Sequence, residues 1–482
     1  MLYSLPIILL LLLNAVDKVT LGHAESQDVN VNTQGPKPPL DVETLKFLHS
    51  IYGGLGPVMN SPLNRNLSRR SVNMPATRPV PEQIHLSYGD NPNEMVLVWS
   101  TPAAAQPSVL YGLAPGNWST EQSGSSQYFL DGNQDGLKYL HRVKLKNLLP
   151  GTRYSFKVRA DDEESEPFEF ATMRDGVDWV PQLLIYGDMG VKGGAPTLRP
   201  LNREVASGEI DAIIHIGDFA YDLHDEGGKV GDDFMNRIQS LATKVPYMTV
   251  VGNHEIAHNF NHYRYRFSMP NTDWPIPLNK MWYSFNMGKV HFVIYSTEVF
   301  FTSGPVDEQY QWLQADLTQA NQNRDKQPWV IALGHRPMYC SNTDGDDCTR
   351  EFSDVRLGLE DLFHSYGVDV VFQGHEHSYE RLYPIINYQV TARNYTDPEA
   401  PVHIISGAAG CNEFNHVCIN PMLGPIKPWS AFRAWLPGLY SYGKLKVANA
   451  THLHWQQILS VNSQVMDEVW ITQNNHGPFQ FR

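Results

Sequence analysis

The sequence predicts a two-part fold, in which an all-β sandwich precedes a larger α/β layered domain. The 482 residues are too many for a single hydrophobic core. From about residue 80 to residue 173, short alternating apolar runs are separated by turn residues, which is typical of an antiparallel sandwich. From residue 181 onward, continuous apolar runs alternate with helix-length segments, and this alternation indicates layers of strands and helices.

The N-terminal residues 1–24 are typical of a secretory signal peptide. Residues 2–16 form a Leu- and Ile-rich run that is short for a membrane span, and Ala24 offers a cleavage point. No Lys or Arg precedes the run, so an uncleaved anchor is the alternative. Residues 25–79 are rich in Pro, Asn and Ser and predict a loosely ordered segment, in which residues 45–52 could form a short helix. We therefore expect a secreted, or else lysosomal, protein without a membrane span after cleavage.

The all-β part is expected to cover residues 80–173. Its predicted strands lie at residues 84–86, 95–99, 108–111, 141–145 and 154–158. The stretch 148–154 resembles a corner of fibronectin type III domains, where Tyr154 would lock the edge of the sheet.

The α/β part is expected to cover residues 178–482. Its predicted strands lie at residues 183–186, 212–216, 247–251, 329–333 and 368–372, with a hairpin formed by residues 282–285 and 290–295. Its predicted helices lie at residues 198–207, 232–245, 307–320 and 355–366.

The net charge of -14 argues against a nucleic-acid-binding surface, which would be basic. It does not argue against a small anionic substrate, because bound metal ions can reverse the sign of the local field.

Cysteine and Asn-x-Ser/Thr patterns fit an oxidising compartment. Cys340 and Cys348 are eight residues apart, and Cys411 and Cys418 are seven apart, so local pairing is the simplest of three connectivities. Each sequon alone is weak, but together with a signal peptide they predict a glycoprotein. The sequons begin at Asn66, Asn117, Asn394 and Asn449.

Five short motifs hold most of the chemistry, and four of them directly follow an apolar run. They read GDMG, GDFAY, GNHE, GHRP and GHEH along the chain. Open α/β sheets bind ligands beyond the carboxyl ends of their strands, so we expect these motifs to meet at one edge. Asp, Tyr, Asn and His side chains are oxygen and nitrogen donors suited to two metal ions. The donors are Asp188, Asp218, Tyr221, Asn253, His335, His375 and His377.

Other polar residues are weaker candidates. His215 lies inside a predicted strand and is expected in the core or next to the ligand residues. His258 and His262 are four apart and could face one way on a helix, but no metalloprotease-type carboxylate accompanies them. Glu298 could orient a ligand histidine or only end a strand, and Arg336 could contact phosphate or be structural.

Taken in order, the five motifs resemble those of the calcineurin-like metallophosphoesterases, and the tyrosine of GDFAY is similar to that of the purple acid phosphatases. The resemblance runs from about residue 81 to residue 475. It implies a four-layer α/β/β/α metallophosphoesterase sandwich preceded by an all-β fibronectin type III-like domain.

The resemblance also implies the roles of the donors. Asp188, Tyr221 and His377 would hold Fe(III), Asp218 would bridge, and the second ion would be divalent Zn, Fe or Mn. The ligands of that second ion would be Asn253, His335 and His375. His254 is expected to contact a substrate oxygen or to protonate the leaving group rather than to bind metal.

The resemblance and the donor set together predict a secreted acid phosphatase that hydrolyses phosphate monoesters with a metal-bound hydroxide. Two metal ions, less the ligand charges, would leave roughly one positive charge to attract a phosphate ester. The alternatives are hydrolysis of phosphodiesters, nucleotides or pyrophosphates, a metal pair without Fe(III), and a catalytically silent secreted binding protein. Plant members carry extra histidines after the GHRP position, whereas residues 338–348 here are acidic, which leaves the substrate preference open. A small phosphate ester is the expected partner, with no nucleic acid; the oligomeric state is not predicted.

Overall fold

A computed structural model describes residues 78–130, 138–410, 424–434 and 439–480. The predicted signal peptide, almost all of segment 25–79, the sequon at Asn66 and the cysteines Cys411 and Cys418 lie outside the described residues. Within the described ranges, no helix has the length and apolar character needed to cross a bilayer.

The front part of the chain is a sandwich of two antiparallel sheets. The strands are β1 (Glu82–Tyr88), β2 (Met95–Thr101), β3 (Pro107–Leu113), β4 (Thr120–Ser123), β5 (Ser125–Phe129), β6 (Lys138–Leu145), β7 (Arg153–Ala160), β8 (Glu163–Glu164) and β9 (Phe168–Ala171). One sheet has the order β1-β2-β6-β5, and the other has the order β4-β3-β7-β8 with β9 beside β7. Trp99 and Phe156 are fully buried between the sheets. The Tyr154 hydroxyl accepts the backbone N–H of Leu149 at 2.9 Å, and this bond closes the corner that the sequence predicts.

The remaining described residues form two large mixed sheets, one small two-stranded sheet and helices. The strands are β10 (Gln182–Tyr186), β11 (Ala212–Ile216), β12 (Tyr247–Val250), β13 (Tyr283–Met287), β14 (Val290–Ile294), β15 (Trp329–Leu333), β16 (Val370–Gln373), β17 (Tyr379–Leu382), β18 (Ile385–Ile386), β19 (Gln389–Val390), β20 (Val402–Ser406), β21 (Ser430–Arg433), β22 (Ser441–Val447), β23 (His452–Leu459) and β24 (Val465–Thr472). The helices are α1 (Ala195–Ala206), α2 (Asp225–Ala242), α3 (Ala257–Arg266), α4 (Val306–Gln322) and α5 (Asp354–Ser365).

Two large sheets stack to form the centre of this domain. One has the order β12-β11-β10-β22-β23-β24 and the other β13-β14-β15-β16-β20-β17-β21. The ring of Trp455 on β23 lies 4.7 Å from that of Phe372 on β16, so the inner faces pack directly against each other. On the outer face of the second sheet, Val330 packs with Leu313 of α4 and Phe363 of α5. Because both faces of these strands are buried, they read as continuous apolar runs.

The predicted fold class, an α/β/β/α sandwich behind an all-β domain, is confirmed. The predicted strands do not include β4, β5 and β8, which are polar and lack an apolar alternation, nor β9 and β17 to β24. Helix α2 begins seven residues before the predicted helix at 232, because a left-handed segment at 226–228 joins it to an earlier turn.

The front sandwich and the α/β domain are joined by a polar interface. The backbone N–H of Ile84 donates to Gln239 of α2 at 2.8 Å. The buried guanidinium of Arg266, at the end of α3, donates to Gln83 of β1 at 2.9 Å and to Asp232 of α2 at 2.9 Å. The front domain therefore contacts and supports α2 and α3, the helices that follow the GDFAY and GNHE motifs.

Candidate metal centre

The five motifs meet where five parallel strands end. Strands β10, β11 and β12 of the first sheet lead into GDMG, GDFAY and GNHE, and β15 and β16 of the second sheet lead into GHRP and GHEH. The site therefore spans the carboxyl ends of both sheets, which is the edge that the sequence predicts.

Four of the donor residues adopt left-handed backbone conformations. The φ angles are 59° at Asp188, 55° at Asp218, 54° at Tyr221 and 68° at His375. A residue other than glycine costs of order 1 kcal/mol or more in such a conformation, and clusters of such residues are typical of functional sites. The turns also need close backbone approach, since a Cβ at Gly252 would lie 2.2 Å from the Asp218 carboxylate.

The first donor cluster joins Asp188, Tyr221 and His377. The Tyr221 hydroxyl donates to Asp188 Oδ1 at 3.1 Å and lies 2.8 Å from His377 Nε2. His377 Nε2 is 3.6 Å from Asp188 Oδ1. The Asp188 carboxylate is fully buried and accepts the backbone N–H of His375 at 2.9 Å. One phenol, one carboxylate and one imidazole thus converge on a single point.

The second cluster joins Asp218, Asn253, His335 and His375. Ligand atoms of Asp218, His335 and His375 all lie within 4.8 Å of one another. His335 Nε2 lies 3.2 Å from Asp218 Oδ1 and 3.0 Å from the Asn253 side-chain oxygen. His335 Nδ1 donates to the carbonyl of Ile216 at 2.8 Å, so in the neutral ring the lone pair that a metal would need is on Nε2.

Electrostatics make this donor set a good fit for cations. Burial is the largest influence on Asp188 and raises its pKa well above the usual range. The neighbouring Asp218 carboxylate also raises this pKa, whereas His335 lowers it. Burial opposes ionisation of Asp218, but His335 beside it lowers the pKa of that carboxyl. Burial likewise opposes the charge on His335, yet Asp218 raises the pKa of its imidazole to about 10. Buried carboxylates at this density need positive charge, and two metal ions would supply it.

Glu255 of the GNHE motif is a functional residue that the sequence analysis missed. Its buried carboxylate accepts three backbone N–H groups, from Asp218 and Phe219 at 3.0 Å each and from Gly252 at 2.9 Å. Burial, and then the charge of Asp218, raise the pKa of Glu255 to about 7. Glu255 therefore ties the GDFAY turn to the GNHE turn and fixes the position of Asp218.

Asp222 is a second missed residue. Its Oδ1 lies 2.5 Å from Nδ1 of His254, whose Nε2 lies 3.9 Å from Asp218 Oδ2. The carboxylate therefore orients the imidazole so that Nε2 faces the donor clusters. The motif resemblance pointed to His254 but offered no partner for it.

The loop after GHRP closes over His375. Cys340 and Cys348 form a disulfide in this loop, which is the simplest pairing that the spacing predicts. Asp346 contacts Nε2 of His375 and lies 3.4 Å from Nη1 of Arg336. Arg336 in turn pairs with Glu298 at 3.0 Å. Glu298 thus orients an arginine rather than a ligand histidine, and Nη1 of that arginine lies 3.1 Å from Nε2 of His375.

The three other histidines considered from the sequence, His215, His258 and His262, do not join the donor clusters. His215 is buried in β11, where its Nδ1 lies 2.7 Å from the Tyr247 hydroxyl, as expected of a core residue. His262 is buried against Phe129, while His258 is exposed. Residues 258–260 are left-handed, and this break in α3 removes the common helical face considered for the two histidines.

Comparisons with known proteins bear directly on this arrangement. Family models match three consecutive stretches: a purple acid phosphatase N-terminal domain over residues 81–172, a calcineurin-like phosphoesterase over 181–379, and an iron/zinc purple acid phosphatase-like C-terminal region over 400–468. The chain is similar to acid phosphatase type 7 of Mus musculus, with 42% identity over 81% of this chain and 90% of the mouse protein.

The chain belongs to the purple acid phosphatase family. It is also similar to purple acid phosphatase 22 of Arabidopsis thaliana, with 31% identity over 81% of this chain and 85% of the plant protein. A solved purple acid phosphatase from yellow lupin (Lupinus luteus) seeds matches with a TM-score of 0.70 and 25% identity, covering 83% of this chain and 75% of the lupin chain. The family and the hydrolase class predicted from the sequence are therefore confirmed, and membership implies a dinuclear metal centre.

Proposed function

We propose that this purple acid phosphatase hydrolyses phosphate monoesters at acid pH with an Fe(III)/divalent pair. The observation that carries the proposal is the complete set of seven donors at the ends of five strands, with Tyr221 between Asp188 and His377. A phenol beside a buried carboxylate is a strongly basic oxygen donor set, which favours a hard trivalent ion. Asn253, His335 and His375 offer one neutral oxygen and two imidazoles, which suit Zn, Fe or Mn.

In this proposal each residue has a stated task. Asp188, Tyr221 and His377 would hold the trivalent ion, the other three donors would hold the divalent ion, and Asp218 would serve both. The metal pair supplies Lewis-acid stabilisation of charge on the phosphoryl oxygens. Phosphoryl transfer asks little covalent chemistry of side chains, so positioning of the ester decides the rate.

His254 is the proposed proton donor to the leaving oxygen. Asp222 holds Nδ1, so the proton for the leaving group sits on Nε2, which faces Asp218. Esters with poor leaving groups, such as alkyl phosphates, depend most on this proton.

We further propose a secreted or lysosomal glycoprotein, with domains at residues 80–173 and 178–482. The sequons at Asn117, Asn394 and Asn449 fall in the described ranges, and residues 1–24 supply the export signal. Expression in cultured cells, followed by glycosidase treatment and N-terminal sequencing of the protein from the medium and from lysosomes, tests both points.

The test of the catalytic proposal joins metal analysis to turnover. We expect two metal ions per chain, an acid pH optimum on a generic aryl phosphate, and visible absorption from phenolate bound to Fe(III). Asp218→Asn and His335→Ala should lose metal and turnover together, while Tyr221→Phe should lose the absorption. His454→Ala, a change on β23 away from the motifs, is the control.

Undiminished turnover in Asp218→Asn or His335→Ala, with contaminating phosphatase excluded, would refute the assignment. A panel of monoesters, diesters, nucleotides and pyrophosphate identifies the substrate class. A preference for diesters or pyrophosphate would replace the monoester proposal. An iron-loaded protein without visible absorption would count against Tyr221 as a ligand.

A further inference from the structure

A second group of metal-binding side chains lies beside the donor clusters. Asp222, His224 and Asp225 each offer one ligand atom, and these atoms lie within 4.8 Å of one another. None of the three is a donor of the dinuclear centre. We call residues 222–225 the Asp222 turn.

The backbone explains why these side chains converge. The N–H of Asp225 donates to the carbonyl of Asp222 at 3.1 Å, which closes a tight turn. Leu223 within the turn is buried, whereas Asp222 and His224 are half-buried and Asp225 is exposed. Leu223 thus anchors the turn in the core and leaves its three polar neighbours facing a common space.

The distances suit a small cation. His224 Nε2 lies 3.8 Å from Asp225 Oδ1. Ligand atoms around a tetrahedral Zn²⁺ ion, at about 2.0 Å from the metal, lie about 3.3 Å apart. Half-exposed side chains can close that difference by small rotations about their χ angles.

The donor types select the kind of ion. Two carboxylates and an imidazole form a mixed oxygen and nitrogen set, which favours Zn²⁺ over Ca²⁺ or Mg²⁺. The exposed ring of His258 stands 5.8 Å from that of His224 and is close enough to approach the same ion or its water. Three protein ligands with a remaining open position are typical of an exchangeable zinc site.

We propose that the Asp222 turn is a third, exchangeable Zn²⁺ site at the mouth of the catalytic centre, built by Asp222, His224 and Asp225. Asp222 belongs to both sites, because its other contact is Nδ1 of His254. A zinc ion at the turn would therefore bind the same carboxylate that orients His254.

Zinc titration of the purified holoprotein by calorimetry tests the site without using turnover. We expect one Zn²⁺ ion to bind beyond the two tightly held ions. His224→Ala and Asp225→Asn should each weaken that binding at least about tenfold. Loss of a residue that only orients a metal ligand already lowers metal affinity about tenfold or more, and loss of the ligand itself should lower it at least as much. Glu226→Gln, an exposed neighbour outside the group, is the matched control and should bind zinc like the parent.

The result that overturns the proposal is the absence of a third ion, or equal zinc affinity in both variants and the parent. Circular dichroism melting and the content of tightly bound metal show whether each variant is folded. A protein that fails as a phosphatase could still bind zinc at the Asp222 turn, so the two proposals fail separately.

The expected effect of this zinc ion on catalysis rests on the proposed phosphatase function and is tested separately. Added zinc should slow hydrolysis of an alkyl phosphate by the parent, and His224→Ala should relieve that inhibition. A third ion that binds without any effect on turnover would overturn the shared role of Asp222.

Discussion

At the residue scale, Asp222 and Glu255 hold groups of the proposed catalytic site, although neither is a metal donor in that proposal. Asp222 orients His254, and Glu255 ties together the turns that carry Asp218 and Asn253. Such supporting partners set ring orientation and donor position, and their loss reduces activity even when all ligands remain.

Asp222→Asn should lower turnover by about tenfold or more, since the amide no longer stabilises a protonated His254 and general acid catalysis contributes 10² or more. The loss should be larger for an alkyl phosphate than for an aryl phosphate, because only the poor leaving group needs the proton. Steady-state kinetics on both esters, with metal content measured alongside, checks this. An equal loss on both esters would contradict the proton-donor role of His254.

Glu255→Gln should destabilise the protein by about 2 kcal/mol and weaken metal retention. The glutamine amide has one acceptor oxygen and presents a donor NH₂ group to backbone N–H groups, so buried donors lose their partners. Chemical denaturation and metal analysis after dialysis measure the two effects. Full metal retention at unchanged stability would show that the three bonds to Glu255 are dispensable.

The donors could be predicted from the sequence, and their supporting partners could not. Each donor lies in a glycine-flanked motif that follows an apolar strand, so local pattern and family resemblance both mark it. Asp222 is one of several acidic residues near the start of α2, and only the folded turn shows that it faces His254. The contact of Asp346 with His375 joins residues 29 apart, and no periodicity encodes it.

At the element scale, the loop from Cys340 to Cys348 is fixed at both ends and carries Asp346 to the mouth of the site. The disulfide closes the loop, and the buried carboxylate of Asp347 accepts the backbone N–H of Asp354 at 2.9 Å and the hydroxyl of Ser353 at 2.6 Å. Closing a loop of this length removes about 2.5 kcal/mol of chain entropy from the unfolded state. The fixed backbone of this loop therefore determines where Asp346 lies, and rotation of its side chain adds only a further adjustment.

Asp346→Asn should tighten inhibition by inorganic phosphate about fivefold, because it removes a negative charge beside His375 in a partly screened site. The inhibition constant for phosphate, measured at constant ionic strength, checks this. Glu351→Gln, an exposed charge on the far side of the disulfide, is the control and should leave the constant unchanged. A weaker inhibition in Asp346→Asn would mean that Asp346 supports the anion site instead of opposing it.

Elements with a strong apolar period were predictable, and those set by tertiary context were not. The central strands at 183–186, 212–216 and 329–333 agree closely with β10, β11 and β15. The left-handed breaks at 226–228 and 258–260 have no sequence signal except two glycines, because Glu226 and His258 adopt that conformation only in the folded chain.

At the scale of the whole molecule, the front sandwich stabilises the helices behind the metal centre. Asp232 of α2 accepts from Arg266 of α3 at 2.9 Å, from Gln83 of β1 at 3.1 Å and from Lys138 of β6. Arg266 is 1% exposed, so its charge depends on this partner. One carboxylate thus links both domains to the two helices that follow the GDFAY and GNHE motifs.

Asp232→Ala should destabilise the protein by about 2–3 kcal/mol, because it leaves the buried Arg266 without its anion. The adjacent Asp233→Ala is the matched control, since its pair with Arg237 is exposed and contributes about 0.5 kcal/mol or less.

Burial opposes the charge on Asp232, but Arg266 and then Lys138 lower its pKa below the ordinary 3.8. The stabilisation is therefore fully present above pH 3.8 and is lost as the pH falls through the lower, folded-state pKa. Denaturation of both variants from pH 7 to pH 3 measures their free energies of unfolding. The stability difference between Asp232→Ala and Asp233→Ala should narrow at the acid end. A stability difference that persists unchanged at pH 3 would exclude the ion pair as its source.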